Sequence, residues 1–197
     1  MNAATIVRPG RGEDAASVAR VQRSAWRAGY STILPVRVLD SLSEDVLAEG
    51  WRAAAERPPS ARHRLLVAVE SDEVVGFSAF GPATDADRDP DHDAELHTLL
   101  VDPAAGRRGH GSRLLAATAD LLREDGFGTA VSWLLAADDR LRAFLADAGW
   151  AADGARRDLD ASGDGSAVLH QVRLHTDLTD APAEAAQADP APAGGRA

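Results

Sequence analysis

The chain contains no cysteine and no lysine: among its 197 residues, all 21 basic side chains are arginine. The first absence removes disulfides, thiolate metal sites and any route that carries an acyl group through an enzyme thioester. The second removes Schiff-base chemistry, a pyridoxal anchor and the lysine of a nucleotide-binding P-loop. Acyl transfer on this chain is therefore direct or uses an oxygen nucleophile. No apolar run reaches the roughly 20 residues that cross a bilayer. The start Met1-Asn2-Ala3-Ala4 is not a charged segment leading into an apolar one, so a cytoplasmic protein with no membrane partner is expected. Positive charge is scarce too. A net charge of -10 argues against a nucleic-acid partner, whose phosphates require clustered cations, and fits a cationic partner better.

Hydrophobic residues make up 45% and charged residues 26%, which is ordinary globular usage, and the length suits one domain. Thr5-Ile6-Val7-Arg8 reads as a strand ended by Pro9-Gly10-Arg11-Gly12. Asp14 can cap a helix carrying Val18, Val21, Gln22, Ala25 and Trp26 at helical spacing. A second helix is expected from Val36 to Arg57, stopped by Pro58-Pro59. His63 to Glu70 and Val74 to Phe80 form a hairpin about Ser71-Asp72-Glu73. Ala94 to Val101 is a strand, followed by a glycine-rich turn and a helix from Gly109 to Asp125 that ends at Gly126. Ala130 to Leu135 is the next strand. Asp138 then caps a helix with Leu141, Phe144, Leu145 and Ala148 on one face. Gly154 to Leu159 and Ala167 to Leu174 close the sheet antiparallel around Ser162-Gly163-Asp164-Gly165. Trp51, Trp133 and Trp150 are expected in the core. The Ala- and Pro-rich segment 177–197 has little to bury and reads as a disordered tail.

The informative stretch runs from Leu99 through Gly106-Arg107-Arg108-Gly109-His110-Gly111-Ser112, a strand, a turn and a helix start. Such a turn cradles anions, because glycines admit close approach, the first helical amides point outward and the helix dipole adds positive charge. Arg107 and Arg108 add to the attraction. A P-loop is excluded by Ser112 where lysine belongs, and a dinucleotide fingerprint is opposed by Leu114 where a third glycine belongs. On spacing alone, a purely structural turn stays open.

Ala94-Glu95-Leu96-His97-Thr98-Leu99-Leu100-Val101-Asp102-Pro103, followed by Arg-Arg-Gly-His-Gly-Ser, resembles the acetyl-coenzyme A motif of the GNAT superfamily of N-acetyltransferases. The resemblance spans about Ala4 to His175, so residues 4–176 are taken as the domain. It implies an α/β fold: a mostly antiparallel seven-stranded sheet with a central, splayed parallel pair and about four flanking helices. It implies acetyl-coenzyme A as co-substrate, no metal, direct transfer to a primary amine of a small molecule or peptide in a ternary complex, and a homodimer. Backbone amides of Arg107, Arg108, Gly109, His110, Gly111 and Ser112 hold the pyrophosphate. Leu99, Leu100 and Val101 hold the pantetheine arm, and one of their amides polarises the thioester carbonyl. Asp138 stands at the asparagine of the family's later helix motif and is counted with the cofactor residues. Trp26 and Tyr30 fall in the region near the acceptor.

Two positions depart from the family pattern. Gly106 replaces a usual Gln or Arg, and Leu145 replaces the tyrosine that protonates the leaving thiolate. The alternative is therefore a non-catalytic acyl-coenzyme A-binding module. Glu95 is the expected base, with His97 two residues on as its relay; Tyr30, the sole tyrosine, lines the acceptor pocket or supplies the missing acid. Asp85, Asp87, Asp89, Asp91 and Asp93 fail a calcium-loop test, because Pro90 and Leu96 fall where glycine and glutamate belong. They read as a solvated acidic loop that draws cationic amines to the site.

Overall fold

A computed structural model describes residues 5–31, 39–40, 43–160 and 168–179. Seven strands form one sheet: β1 (Thr5–Pro9), β2 (Arg64–Glu70), β3 (Glu73–Pro82), β4 (Asp93–Val101), β5 (Thr129–Leu135), β6 (Ala151–Asp160) and β7 (Val168–Asp177), in the order β1-β2-β3-β4-β5-β7-β6. The helices are α1 (Ala15–Tyr30), α2 (Glu44–Glu56), α3 (His110–Glu124) and α4 (Asp139–Asp147). Among the described residues only β4 and β5 run parallel. The expected fold class is the one observed.

The alternation along β2 explains why helices cover both faces of the sheet. Leu65, Val67 and Val69 point to one face with Val74 and Phe77 of β3, where Val18 and Val21 of α1 and Trp51 of α2 cover them. Leu66 and Ala68 point to the other, packing with Phe80, Leu96, Leu114 and Leu122. A strand buried on both faces has no polar side to offer water, hence the nearly continuous apolar run. The β2–β3 link is a two-residue turn in which Ser71 and Asp72 take φ 51 and 67, matching the twist of the hairpin.

Two local expectations change. Asp14 does stand before α1, but its side chain makes no cap bond to that helix: Arg8 takes both carboxylate oxygens at 2.7 and 2.8 Å, and the Arg11 amide donates to one of them, closing the short turn Gly12–Asp14 instead. The second helix does not run unbroken from Val36, because Ser43 is extended (ψ 130) and α2 begins at Glu44. The signal was Ser43-Glu44-Asp45, a capping residue before an acidic first turn. Residues 36–38 and 41–42 of that expected helix, the turn at 162–165 and the tail from residue 180 lie outside the described residues. The chain stays packed as far as Leu178, which is 2% exposed and bonded through its amide to the Gly128 carbonyl.

Candidate active site

β4 and β5 pair over only three residues, Asp93↔Thr129, Ala94↔Ala130 and Glu95↔Val131. Past that point β5 keeps its ladder with β7 while β4 keeps its ladder with β3, so the two strands part. Ser132 fixes where this happens: its hydroxyl, fully inside the protein, donates to the Leu96 carbonyl at 2.8 Å. A bulge accompanies the parting. Ala79 faces Thr98 and Phe80 faces Leu96, leaving His97 as the extra residue on β4. The bulge resets the pleat, so Leu96 and Leu99 both face the α3 side of the sheet.

A cavity of about 200 Å³ opens in the gap. Leu99, Leu100, Leu141 and Leu145 line it together with Trp26, Tyr30, Trp133, Leu159, Leu169 and Gln171, and His97 is part of the wall. Glu95 stands behind it, 8% exposed, with Oε1 3.4 Å from His97 Nδ1. Burial first, and then the charge of His97, holds His63 below the ordinary imidazole value.

At the end of β4 lies the glycine-rich turn. Asp102 caps the short turn Pro103–Ala105 through the Ala104 amide and is itself held by Arg20 at 2.8 Å. Arg107 then adopts φ 62 and Gly109, at the N-cap of α3, φ 80. No side chain caps the first-turn amides of α3; the Arg113 amide is the first to bond back, to Gly109 O. A Cβ on Gly111 would stand 3.5 Å from Phe144 and 3.9 Å from Leu99, ordinary contact distances that show how closely α3 starts beside β4 and α4. The cradle expected from the sequence is present, and its uncapped amides suit a diphosphate.

The arginines divide the work. Arg107 is exposed, and among the described residues no ion pair holds it. The guanidinium of Arg108, expected to attract phosphate, is instead engaged by Glu70 at 2.6 Å and by the Ala104 carbonyl at 3.1 Å, because the carboxylate ending β2 lies directly beneath the turn. The His110 ring is turned inward, 1% exposed, with no hydrogen-bond partner at either nitrogen and Glu70 Oε1 3.6 Å away. Only its backbone can meet a ligand. Burial holds the ring below the usual histidine value, against the opposing pull of Glu70. Sequence reading missed Arg113, which donates to the Arg108 carbonyl at 3.0 Å, and Arg140 of α4, whose guanidinium comes within 4.0 Å of where a Gly106 Cβ would be. Their signal lay in charge at helical positions flanking the turn.

Tyr30 lines the cavity, and its hydroxyl donates to Asp138 Oδ2 at 3.2 Å while Asp138 Oδ1 accepts the Leu141 amide at 2.9 Å. Asp138 thus caps α4 as expected and ties α1 to it. Burial and the adjacent carboxylate push the Tyr30 phenol well above its ordinary value, which keeps its proton in place. Trp26 meets Tyr30 edge-on with ring centres 6.0 Å apart.

The acidic loop reaches the cavity through Trp133, whose indole donates to Asp85 at 2.9 Å. Trp133 is therefore a cavity wall and not a core aromatic, unlike Trp150. The loop is not a freely solvated charge run either. Arg173, 4% exposed, pairs with Asp85, Asp87 and Asp153 at 2.6–2.8 Å, and Arg88 adds a second cation on Asp153. The Arg173 contact holds the Asp87 carboxyl at about 2.

The family model described as Acetyltransferase (GNAT) family matches residues 20–150, which include β4, the turn and the helices on either side of the gap. The chain belongs to the GNAT family of acetyltransferases. An uncharacterized N-acetyltransferase of Bacillus subtilis strain 168, YuaI, is 29% identical over 129 residues, covering 66% of this chain and 70% of that protein. The PaiA N-acetyltransferase of Thermoplasma acidophilum, solved in complex with coenzyme A, superposes with a TM-score of 0.66 at 16% identity over 88% of this chain and 99% of that one. YncA of Salmonella typhimurium, solved with acetyl-CoA, gives 0.66 at 20% identity over 93% and 99%. This GNAT chain is an acyltransferase. Among the described residues no helix is long and apolar enough to cross a membrane.

Proposed function

We propose that this enzyme transfers the acetyl group of acetyl-coenzyme A to a primary amine by direct attack in a ternary complex, without a metal, in the cytoplasm. The observation that carries the reading is the parting of β4 from β5 between an uncapped helix start and a histidine on the cavity wall. The solved relatives with coenzyme A or acetyl-CoA support the choice of cofactor. When bound, acetyl-coenzyme A supplies a thioester whose thiolate, with a pKa near that of cysteine at about 8.5, leaves readily without an acid.

The residues then have these roles. Amides of Arg107 to Ser112 hold the pyrophosphate, with Arg107, exposed and without an ion pair among the described residues, adding charge. The edge of β4 freed at Leu99–Val101 receives the pantetheine, and one of its amides polarises the thioester carbonyl. His97 accepts the proton of the incoming ammonium, with Glu95 behind it orienting the ring and stabilising its charge. An alkylammonium with a pKa near 10.4 is only about one part in a thousand free amine at neutral pH, so this acceptor matters. Asp138 and Tyr30 hold α1 against α4 at the cavity. The homodimer implied by the family is read from the molar mass in light scattering.

A second reading rests on one feature: Leu145, 0% exposed, stands where the acid would be, and the only tyrosine has its proton committed to Asp138. That favours a binding module. Thiol release with a panel of amines decides. Amine-dependent release that falls in Glu95→Gln supports the enzyme, and coenzyme A binding with no release from any amine supports the module.

A further inference from the structure

The cavity's far wall is built for something the acidic loop does not describe. Among the described residues no carboxylate and no arginine lines it. Asp85, which holds Trp133, and Asp87 and Asp153 beside it on Arg173 are met by three arginines, Arg173, Arg88 and Arg157, so their charge is balanced within the protein. Apart from Gln171, whose amide oxygen already accepts from Arg157, what lines the cavity beyond β4 is mainly aromatic and branched apolar: Trp26 and Tyr30 from α1, Trp133 from β5, and Leu159 with Leu169, which are cross-strand partners on β6 and β7. The Trp133 ring is fixed as a wall by its bond to Asp85 at one edge and by the Arg157 guanidinium 4.2 Å from its centre.

From these residues we infer that the acceptor is a small arylalkylamine: one primary amine, one aromatic group, no second charge. The inference rests on the transferase reading above and narrows its substrate. A polyamine would bring a second ammonium to a wall that offers, among the described residues, no carboxylate and only ring faces and the Gln171 amide, and burying a charge without an opposite one is unfavourable. An aromatic ring would gain both apolar burial and ring–ring contacts with Trp26, Tyr30 and Trp133. The same apolar wall disfavours the charged form of the reacting nitrogen. The ammonium gives its first proton to His97. Its nitrogen then bonds to the thioester carbon as the carbon–sulfur bond breaks, sulfur leaves with the bonding pair, and the second nitrogen proton passes to the thiolate.

The test compares 2-phenylethylamine, spermidine and an N-terminally free alanyl peptide in two assays on the full chain. Thiol release is expected to show kcat/KM for 2-phenylethylamine about 100-fold above that for spermidine, a ratio typical of pocket discrimination. Leu159→Glu, at a position 40% exposed and so tolerant of the change, is expected to cut that ratio at least tenfold. Tryptophan emission in the presence of coenzyme A reads binding without turnover, since Trp26 and Trp133 line the cavity. Spermidine or the peptide matching 2-phenylethylamine in rate, or in binding when no amine reacts, overturns the inference. Selective binding of 2-phenylethylamine without any thiol release removes the transferase reading and leaves the aryl pocket standing.

Discussion

Glu95 Oε1 lies 3.4 Å from Nδ1 of His97, and of the two only His97 lines the cavity. The order matters because the residue nearest the acceptor takes the proton, and the one behind it sets orientation and charge. Replacing His97 with glutamine is expected to lower kcat/KM roughly 10²- to 10⁴-fold, the usual contribution of a positioned base, with coenzyme A affinity unchanged. Glu95→Gln is expected to cost less. Thiol-release kinetics check both, and a larger loss for Glu95→Gln would put the carboxylate next to the amine instead.

The cradle depends on backbone shape more than on charge. Gly109 at φ 80 has room for a methyl group, the nearest atom to a Cβ being Arg113 Nη1 at 3.4 Å, so Gly109→Ala tests conformation alone. A left-handed alanine costs about 1 kcal/mol. Coenzyme A affinity measured by calorimetry is expected to fall roughly tenfold in Gly109→Ala, while Arg107→Gln loses a few-fold and flattens the salt dependence.

Arg173 joins three aspartates from two parts of the chain while only 4% exposed itself. Arg173→Met leaves those carboxylates facing one another, and a loss of about 3 kcal/mol in chemical denaturation at pH 7 is expected. The sign of the pH effect follows from Asp87, whose folded value of about 2 lies below the ordinary carboxyl value of 3.8. Its stabilisation is present above 3.8 and disappears as pH falls toward 2, so the gap between wild type and Arg173→Met is expected to narrow in that window.

His110 is a buried base with an unpartnered ring and a depressed proton affinity. Below an unfolded value of about 6.5 the unfolded chain binds a proton that the folded ring resists, so wild-type stability falls with pH there. His110→Leu, similar in volume, is expected to gain on wild type as pH drops from about 7.5 to 5.5. Denaturation midpoints of the two proteins along that range check it; parallel curves would show that Glu70 shelters the charged ring.

Much of this was readable from residue order, for definite reasons. The Ser71-Asp72 hairpin, the glycine-rich turn and the Asp138 cap are local, set by neighbours within a few positions. The His97 bulge was not, since it exists only relative to the register of β3. Nor was the neutralising of the acidic loop, which takes an arginine 88 positions from Asp85. The same distance hid the role of Trp133: its periodicity suits a core strand, and only the parting of β4 turns it into a wall. Asp14 shows the converse, a sound local signal overridden because Arg8 lies within reach of the same oxygens.

Ser132 ends the shared ladder of β4 and β5 by offering Leu96 a hydroxyl in place of a backbone amide. The crevice is thus a property of the polypeptide, moulded as it folds and not carved by its visitor. A guest entering a ready-made berth spends little of its affinity on rearranging the host, so arrival should be governed by encounter, and residence by the grip of the turn at the far end.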